Sequence, residues 1–240
     1  MNILMEIEFD GTDYAGWQIQ PVHKTVQGEI EKALKQIIQI QVKVIGASRT
    51  DAGVSSLGQI ANFHITNYRI ESISKLKNSL NSVLPDDIFI KKMKTVPEKF
   101  HSRYSPTSKI YEYKILTKPA PLRQKHAWVI LYKLDITKMR LAAWLFLKQK
   151  DYLAFCRMSD KDGFVKMKSI RIKQIKDEIT IRIEANRFLY KMVRRIVGAL
   201  YEIGRGHRNE QDIKNSLAGK EYRSLMCAPA SGLKLIKVKY

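Results

Sequence analysis

The order of predicted helices and strands indicates an α+β protein built from two ferredoxin-like halves. Residues 1–104 show hydrophobic patterns for a strand, a helix, two strands, a helix and a strand, which is the ferredoxin-like order. The same order recurs in residues 105–240 without a repeat of the sequence itself. We therefore expect two domains whose antiparallel sheets join edge to edge into one extended sheet, with an active-site cleft between them.

The first half begins with a strand, because apolar residues alternate with polar ones from Ile3 to Phe9. Thr25 is a suitable N-cap for a helix from Val26 to about Gln39. A second helical pattern stops at Pro85, where the ring prevents continuation. The other predicted elements of this half are strands at residues 42–45, 57–64 and 87–96 and that second helix, over 73–84.

The second half follows a predicted crossing segment, residues 97–106, which carries Lys99, His101 and Arg103. Thr137 is the expected cap of its first helix. Its long later helix is predicted from Phe188 to Gly204, since a glycine commonly ends a helix. The remaining elements are strands at 109–116, 169–175, 179–184 and 233–240 and a short helix at 209–217.

The chain is strongly basic, with 43 Lys and Arg against 23 Asp and Glu and a formal charge of +20. This excess favours a polyanionic partner, with nucleic acid as the first candidate. A general lysine bias with no partner is the alternative interpretation.

The cysteine content and the hydropathy pattern exclude several other classes. Cys156 and Cys227 are the only cysteines, and neither has a neighbour at metal-ligand spacing. We therefore expect neither a disulfide framework nor a zinc site, which fits a reducing cytoplasm. The N-terminus lacks the features of a signal peptide, and the apolar runs are too short to span a membrane.

The segment Gly46–Val54, with the sequence GASRTDAGV, is the strongest candidate for chemistry. It brings Arg49 and Asp51 together in a loop of small residues between two predicted strands. Gly46 and Gly53 allow backbone angles and close approaches that suit a loop next to a ligand. An ordinary turn with a surface ion pair is the alternative.

This loop resembles the catalytic signature of TruA-type tRNA pseudouridine synthases, G-A-G-R-T-D-A-G-V-H. Ser48 replaces the middle glycine of the signature, and Ser55 replaces its histidine. Three further segments resemble the family's motifs in the same order: residues 10–18, 186–198 and 228–233. A weaker match covers residues 151–155, and the stretch from Cys156 to Lys168 matches no motif of the family.

Tyr111 and Arg194 of the second half are further candidates. Tyr111 and Tyr113 alternate on one predicted strand and share a face, a pattern that also fits core tyrosines. Lys191, Arg194 and Arg195 have the spacing of a basic stripe on a helix, for which a solvated face is the simpler interpretation. The resemblance implies that Tyr111 contacts the target uracil. It also implies that Arg194 pairs with the catalytic aspartate, although Lys191 stands where the family usually has histidine.

The resemblance implies an enzyme that isomerises uridine to pseudouridine at positions 38, 39 and 40 of the tRNA anticodon stem-loop, without a metal or cofactor. Asp51 would be the catalytic residue, either attacking C1′ or removing a proton from C2′. Arg49 would fill the vacated stack or bind the backbone, and Tyr111 would stack on the flipped base. The family also implies a homodimer. The alternatives are a non-catalytic RNA-binding or RNA-folding protein on the same scaffold and a synthase with a shifted site preference.

Overall fold

The computed structural model describes residues 1–66, 70–156, 162–219 and 225–240. The chain divides into two units, the first formed by residues 1–107 with 234–240 and the second by residues 108–233. The predicted α+β class is confirmed. The sequence pattern assigned the whole C-terminal strand to the second half, whereas the structure groups this strand from Lys234 onward with the first unit.

The first unit contains an antiparallel sheet in the ferredoxin-like order. Its elements are β1 (Asn2–Phe9), α1 (Val26–Ile38), β2 (Ile45–Gly46), β3 (Ser55–His64), α2 (Ile73–Val83), β4 (Ile88–Val96) and β9 (Leu233–Lys239). Strand β1 pairs with β4 on one side and with β3 on the other. Strand β2 pairs with one end of β3, and the C-terminal strand β9 runs parallel to the other end.

The helices of the first unit cover one face of this sheet, as their apolar stripes predict. The Thr25 hydroxyl accepts a hydrogen bond from the Gly28 N–H at 3.3 Å, which confirms it as the cap of α1. Ile30 and Leu34 of α1 are fully buried in a core shared with Ile7 of β1. Burying each such side chain contributes about 1.5–3 kcal/mol, so the packing of helix on sheet dominates the stability of this unit.

The strand predicted at residues 42–45 is largely absent, because only Ile45 and Gly46 pair with β3. Side chains of α1 satisfy the preceding backbone instead. The Val44 N–H donates to Glu31 Oε1 at 2.8 Å, and the Val44 carbonyl accepts from Gln27 Nε2 at 3.1 Å. The Val44 backbone is therefore satisfied by helix side chains and not by a neighbouring strand, while the side chains of Val42 and Val44 are buried in the core of the unit.

The elements of the second unit are β5 (Ser108–Leu116), β6 (Trp128–Val129), α3 (Ile136–Leu147), β7 (Met167–Ile175), β8 (Glu178–Ala185), α4 (Met192–Gly204) and α5 (Glu210–Leu217). Three of its strands form an antiparallel sheet in the order β5-β8-β7. The two-residue strand β6, which the sequence did not predict, runs parallel to β5.

Two predicted helix starts in this unit are wrong. Asp135, not Thr137, caps α3, since its carboxylate accepts from the Lys138 N–H at 3.0 Å. Helix α4 begins at Met192 and not at Phe188, because Lys191 has a left-handed backbone with a φ of 60°. Lys191 therefore lies outside the helix and cannot share a helical stripe with the arginines that follow it.

No helix in the described parts of the chain is long and apolar enough to cross a membrane. The same residues contain no group of three or more His, Cys, Asp or Glu side chains arranged to hold a metal ion.

Candidate active site

The loop of residues 46–54, which we call the Asp51 loop, is held on one side by a buried glutamine of β3. The Gln59 side chain accepts from the Ser48 N–H at 3.2 Å and donates to the Ser48 carbonyl at 2.7 Å. Next to it, the Ala47 N–H donates to the Ile60 carbonyl at 2.7 Å. Gln59 is fully buried. The two hydrogen bonds of its side-chain amide hold the loop backbone against β3 beyond the point where β2 ends. A lone glutamine in an apolar strand pattern was the available sequence signal for this contact.

Residues 10–18 hold the other side of the Asp51 loop. The Trp17 N–H donates to the Thr50 carbonyl at 3.1 Å, and the Gly53 N–H donates to the Tyr14 carbonyl at 3.3 Å. Gly16 has a φ of 104°, and a Cβ at this position would lie 2.6 Å from the Thr50 oxygen. The position therefore requires glycine both for its backbone angle and for its close approach to the loop.

Ser55, at the position of the signature's histidine, connects the loop to the end of β1. Its hydroxyl accepts from the Gly11 N–H at 3.0 Å and donates to Asp10 Oδ1 at 3.3 Å. Ser48, at the position of the middle glycine, is not among the non-glycine residues with a positive φ. Neither replacement therefore strains the loop, and Ser55 supplies a polar contact of its own.

Within the loop, consecutive side chains differ in burial. Thr50 is buried, Asp51 is half-buried and Arg49 is exposed. The Val54 N–H donates to the Asp51 carbonyl at 3.2 Å and closes a turn around the carboxylate. Partial desolvation and then the charge of Arg103 lower the pKa of Arg49, which still leaves this guanidinium charged at neutral pH. The loop thus presents a carboxylate and a cation while its backbone stays fixed.

The two tyrosines of β5 are both buried, Tyr111 at 5% and Tyr113 at 0% exposure. The ring of Tyr111 meets Phe188 edge to face, with centroids 5.1 Å apart. The Tyr113 hydroxyl donates to the Pro229 carbonyl at 2.8 Å. Burial raises the pKa of Tyr113 far above its usual range, against the opposing effect of Arg194. Tyr113 is therefore a neutral structural residue that ties β5 to the C-terminal segment.

Arg194, on α4, makes a reciprocal contact with the same C-terminal segment. Its Nε donates to the Ala228 carbonyl at 2.7 Å, and the Ala228 N–H donates to the Arg194 carbonyl at 3.1 Å. Gly198 lies one turn later, and a Cβ there would meet the Met226 oxygen at 2.1 Å. The structure thus brings together two segments that the sequence analysis identified as separate motifs, residues 186–198 and 228–233.

The basic stripe predicted on α4 is not a solvated face. Arg194 and Arg195 are both half-buried, and each donates to a backbone carbonyl. Arg195 Nη1 binds the Cys156 carbonyl at 2.6 Å, so this arginine supports the fold of the second unit. The next residues, 157–161, belong to the stretch that matched no motif, and they lie outside the described residues.

The candidate residues are therefore divided between the units, with Arg49 and Asp51 on one loop of the first and Tyr111 and Arg194 on two elements of the second. The sequence interpretation missed Gln59, and it named Ser55 and Tyr113 without identifying the hydrogen bonds by which they support the site.

Comparison with known proteins gives the same assignment along the whole chain. Residues 5–105 and 142–240 match the family model described as tRNA pseudouridine synthase. A "tRNA pseudouridine synthase A" of Thermoanaerobacter sp. (strain X514) is 42% identical, with 100% of this chain and 99% of the relative covered. Proteins with the same name from Acetivibrio thermocellus, at 40%, and named "tRNA pseudouridine synthase A 2" from Clostridium perfringens, at 39%, show the same coverage.

Proposed function

The chain belongs to the tRNA pseudouridine synthase family, and from this premise we propose that it modifies uridines 38, 39 and 40 of the tRNA anticodon stem-loop. As a member of the family it is an isomerase that converts uridine to pseudouridine in tRNA. The single observation that carries the proposal is the Asp51 loop, which matches the family signature through Arg49, Thr50 and Asp51 and whose backbone is hydrogen-bonded on both sides.

We assign the chemistry to the Asp51 carboxylate. The reaction breaks the N1–C1′ bond, turns the uracil and joins C5 to C1′; C5 then loses its proton and N1 gains one, so atoms balance. It needs one group that either attacks C1′ or removes the C2′ proton. The half-buried position of Asp51 suits both routes. Partial exclusion of water strengthens the attraction of its carboxylate to the positive charge that develops on the ribose as the N1–C1′ bond breaks. Both routes leave Asp51 as the residue whose loss stops the reaction.

Arg194 is assigned to the orientation of this carboxylate. The bond from its Nε to the Ala228 carbonyl fixes the plane of the guanidinium, so its fork geometry is set before any ligand binds. A planar fork binds a carboxylate through two parallel hydrogen bonds, which a lysine cannot reproduce. We therefore assign Arg194 as the cation that keeps Asp51 ionised and aligned.

Arg49 and Tyr111 are assigned to the substrate. A uridine stacked in a stem hides its reacting atoms, so the enzyme extrudes the base at a cost of about a few kcal/mol. Arg49 is exposed and charged two residues from Asp51, which suits insertion into the vacated stack or binding of the adjacent phosphate. Tyr111, which is 5% exposed and whose ring packs against Phe188 edge to face, is the residue that we assign to contact the flipped uracil.

The assembly and location of the enzyme complete the proposal. We assign it to the cytoplasm as a homodimer with tRNA as its partner. Several large apolar side chains of the second unit are more than half exposed, among them Leu131, Tyr132, Leu141 and Trp144. Exposed apolar side chains of this size support a contact with a second copy of the chain. The charge of +20 supports binding of the tRNA backbone.

Mapping of pseudouridine in cellular tRNA tests the proposed sites. Cells lacking the gene should lose the modification at positions 38, 39 and 40, and the wild-type gene should restore it while the Asp51→Asn gene does not. Loss at other tRNA positions alone would refute the anticodon assignment and favour a synthase with a shifted site preference. No loss at any position would favour the RNA-binding scaffold without turnover.

A further inference from the structure

The segment of residues 100–105, which we call the aromatic turn, is fixed to the core of the first unit by buried amides. Asn2 and Asn62 are both buried. The Asn62 side-chain amide donates a hydrogen bond of 2.9 Å to the Asn2 side-chain oxygen. Asn2 Nδ2 donates to the Phe100 carbonyl at 2.8 Å, and Asn62 Oδ1 accepts from the Ser102 N–H at 2.9 Å. Buried polar networks of this kind impose one geometry on the backbone that they bind.

This fixed turn displays an exposed aromatic ring. Tyr104 is 76% exposed, and the His101 ring lies beside it with centroids 4.4 Å apart. The guanidinium of Arg103 lies 5.8 Å from the centre of the same tyrosine ring. An exposed aromatic ring on a fixed backbone loses little conformational entropy when it binds a ligand, and this favours binding by stacking.

The charges near Tyr104 favour an anion. Asn62, which binds the Ser102 N–H, pairs with Ile45 just before the Asp51 loop, so the two segments that carry Arg103 and Arg49 lie side by side. In keeping with this, partial desolvation and then the charge of Arg103 lower the pKa of Arg49. Across the described residues, neither guanidinium forms an ion pair with a carboxylate. Two neighbouring guanidinium groups without a protein anion form a site that phosphate neutralises.

From this arrangement we propose that Tyr104 stacks on an unpaired nucleotide of the substrate tRNA while Arg103 and Arg49 bind the phosphate next to it. The inference rests on the proposed function, because it takes tRNA as the ligand. An unpaired nucleotide is required, since only a base outside a duplex can turn its face to a protein ring. Because Arg49 belongs to the Asp51 loop, this contact would hold the substrate strand beside the catalytic carboxylate.

Equilibrium binding to two labelled RNAs tests the proposal. One is an anticodon stem-loop, and the other is a continuous duplex with the same number of phosphates. Tyr104→Leu should raise the Kd for the stem-loop about tenfold and leave the Kd for the duplex unchanged, because stacking needs an unpaired base. Tyr104→Phe should bind like the wild type. Phe89→Leu removes another exposed ring of the first unit and, as the matched control, should change neither Kd.

Two further measurements separate stacking from other roles of the aromatic turn. Tyr104→Leu should raise the RNA concentration that gives half the maximal single-turnover rate more than it lowers the rate at saturating RNA, because the side chain acts in binding. Arg103→Gln should lower the slope of log Kd against log salt by about 1.

Wild-type affinity of Tyr104→Leu for the stem-loop would overturn the inference, as would an equal loss for both RNAs. A change in sedimentation of this variant would assign Tyr104 to a contact between copies of the chain and overturn it as well. The binding assay needs no turnover, so a wild type that modifies no tRNA would refute the proposed function and leave this comparison valid.

Discussion

Replacement of Asp51 by asparagine is the most informative perturbation, because it removes the charge and the reactive oxygen while keeping the size of the side chain. The backbone of the loop is held by hydrogen bonds that asparagine retains. These are Trp17 N–H to the Thr50 carbonyl at 3.1 Å, Gly53 N–H to the Tyr14 carbonyl at 3.3 Å and Val54 N–H to the carbonyl of residue 51 at 3.2 Å. The loop of the variant should therefore keep its conformation.

The expected cost in stability is small. A hydrogen bond to a charged group contributes about 1.5–3 kcal/mol and a neutral one about 0.5–1.5 kcal/mol, so loss of the Asp51 charge should lower the free energy of unfolding by about 1 kcal/mol. For a chain of this size that corresponds to a fall in Tm of about 2–4 °C. The expected cost in rate is much larger. General base catalysis contributes about 10²–10⁴-fold, and loss of a nucleophile would abolish turnover.

The assay is single-turnover formation of pseudouridine on an anticodon stem-loop, with thermal unfolding and RNA binding measured on the same preparation. Asp51→Ala, which cannot regain a carboxylate by deamidation, controls for trace activity in the asparagine variant. Asp86→Asn neutralises an exposed carboxylate outside the loop and controls for the change in net charge. A folded, RNA-binding Asp51→Asn enzyme with a rate within tenfold of wild type would refute the assignment of Asp51.

Three other perturbations follow from the same contacts. Arg194→Lys keeps the charge but loses the fork and the bond to Ala228, so turnover should fall far more than tRNA affinity; near-normal turnover would make the arginine structural only. Gly16→Ala places a Cβ 2.6 Å from the Thr50 carbonyl oxygen, at a residue with a φ of 104°. Gly206 also has a positive φ, of 76°, but a Cβ added there would meet no atom within 4 Å. Urea unfolding should therefore show a loss of about 1–3 kcal/mol for Gly206→Ala and a larger one for Gly16→Ala; equal losses would contradict the close approach. Finally, Kd for tRNA should rise by at least about 10³-fold between about 50 and 200 mM salt if six or more phosphates are bound, and a flat response would contradict backbone binding.

Much of the fold could be predicted from local sequence. Thr25 and Pro85 correctly marked helix ends, because capping and ring geometry act within a few residues. The two helix starts that were predicted wrongly could not be decided from the helix propensity of the residues. Asp135 and Thr137 are both acceptable caps, and only the packed backbone selects Asp135. Lys191 adopts a left-handed conformation that non-glycine residues rarely take, so no pattern indicated the break before α4.

For the candidate site, the sequence by itself determined the family and which residues are candidates. The motif around Asp51 and the arginine at position 194 are defined by residue type, which the sequence shows directly. The tertiary structure decided what supports them. It showed that buried Gln59 holds the Asp51 loop, that Ser55 links this loop to Asp10 and Gly11, and that Ala228 orients Arg194. Such contacts join residues far apart in the chain through single hydrogen bonds, and a hydrogen bond between distant residues leaves no periodic pattern in the sequence.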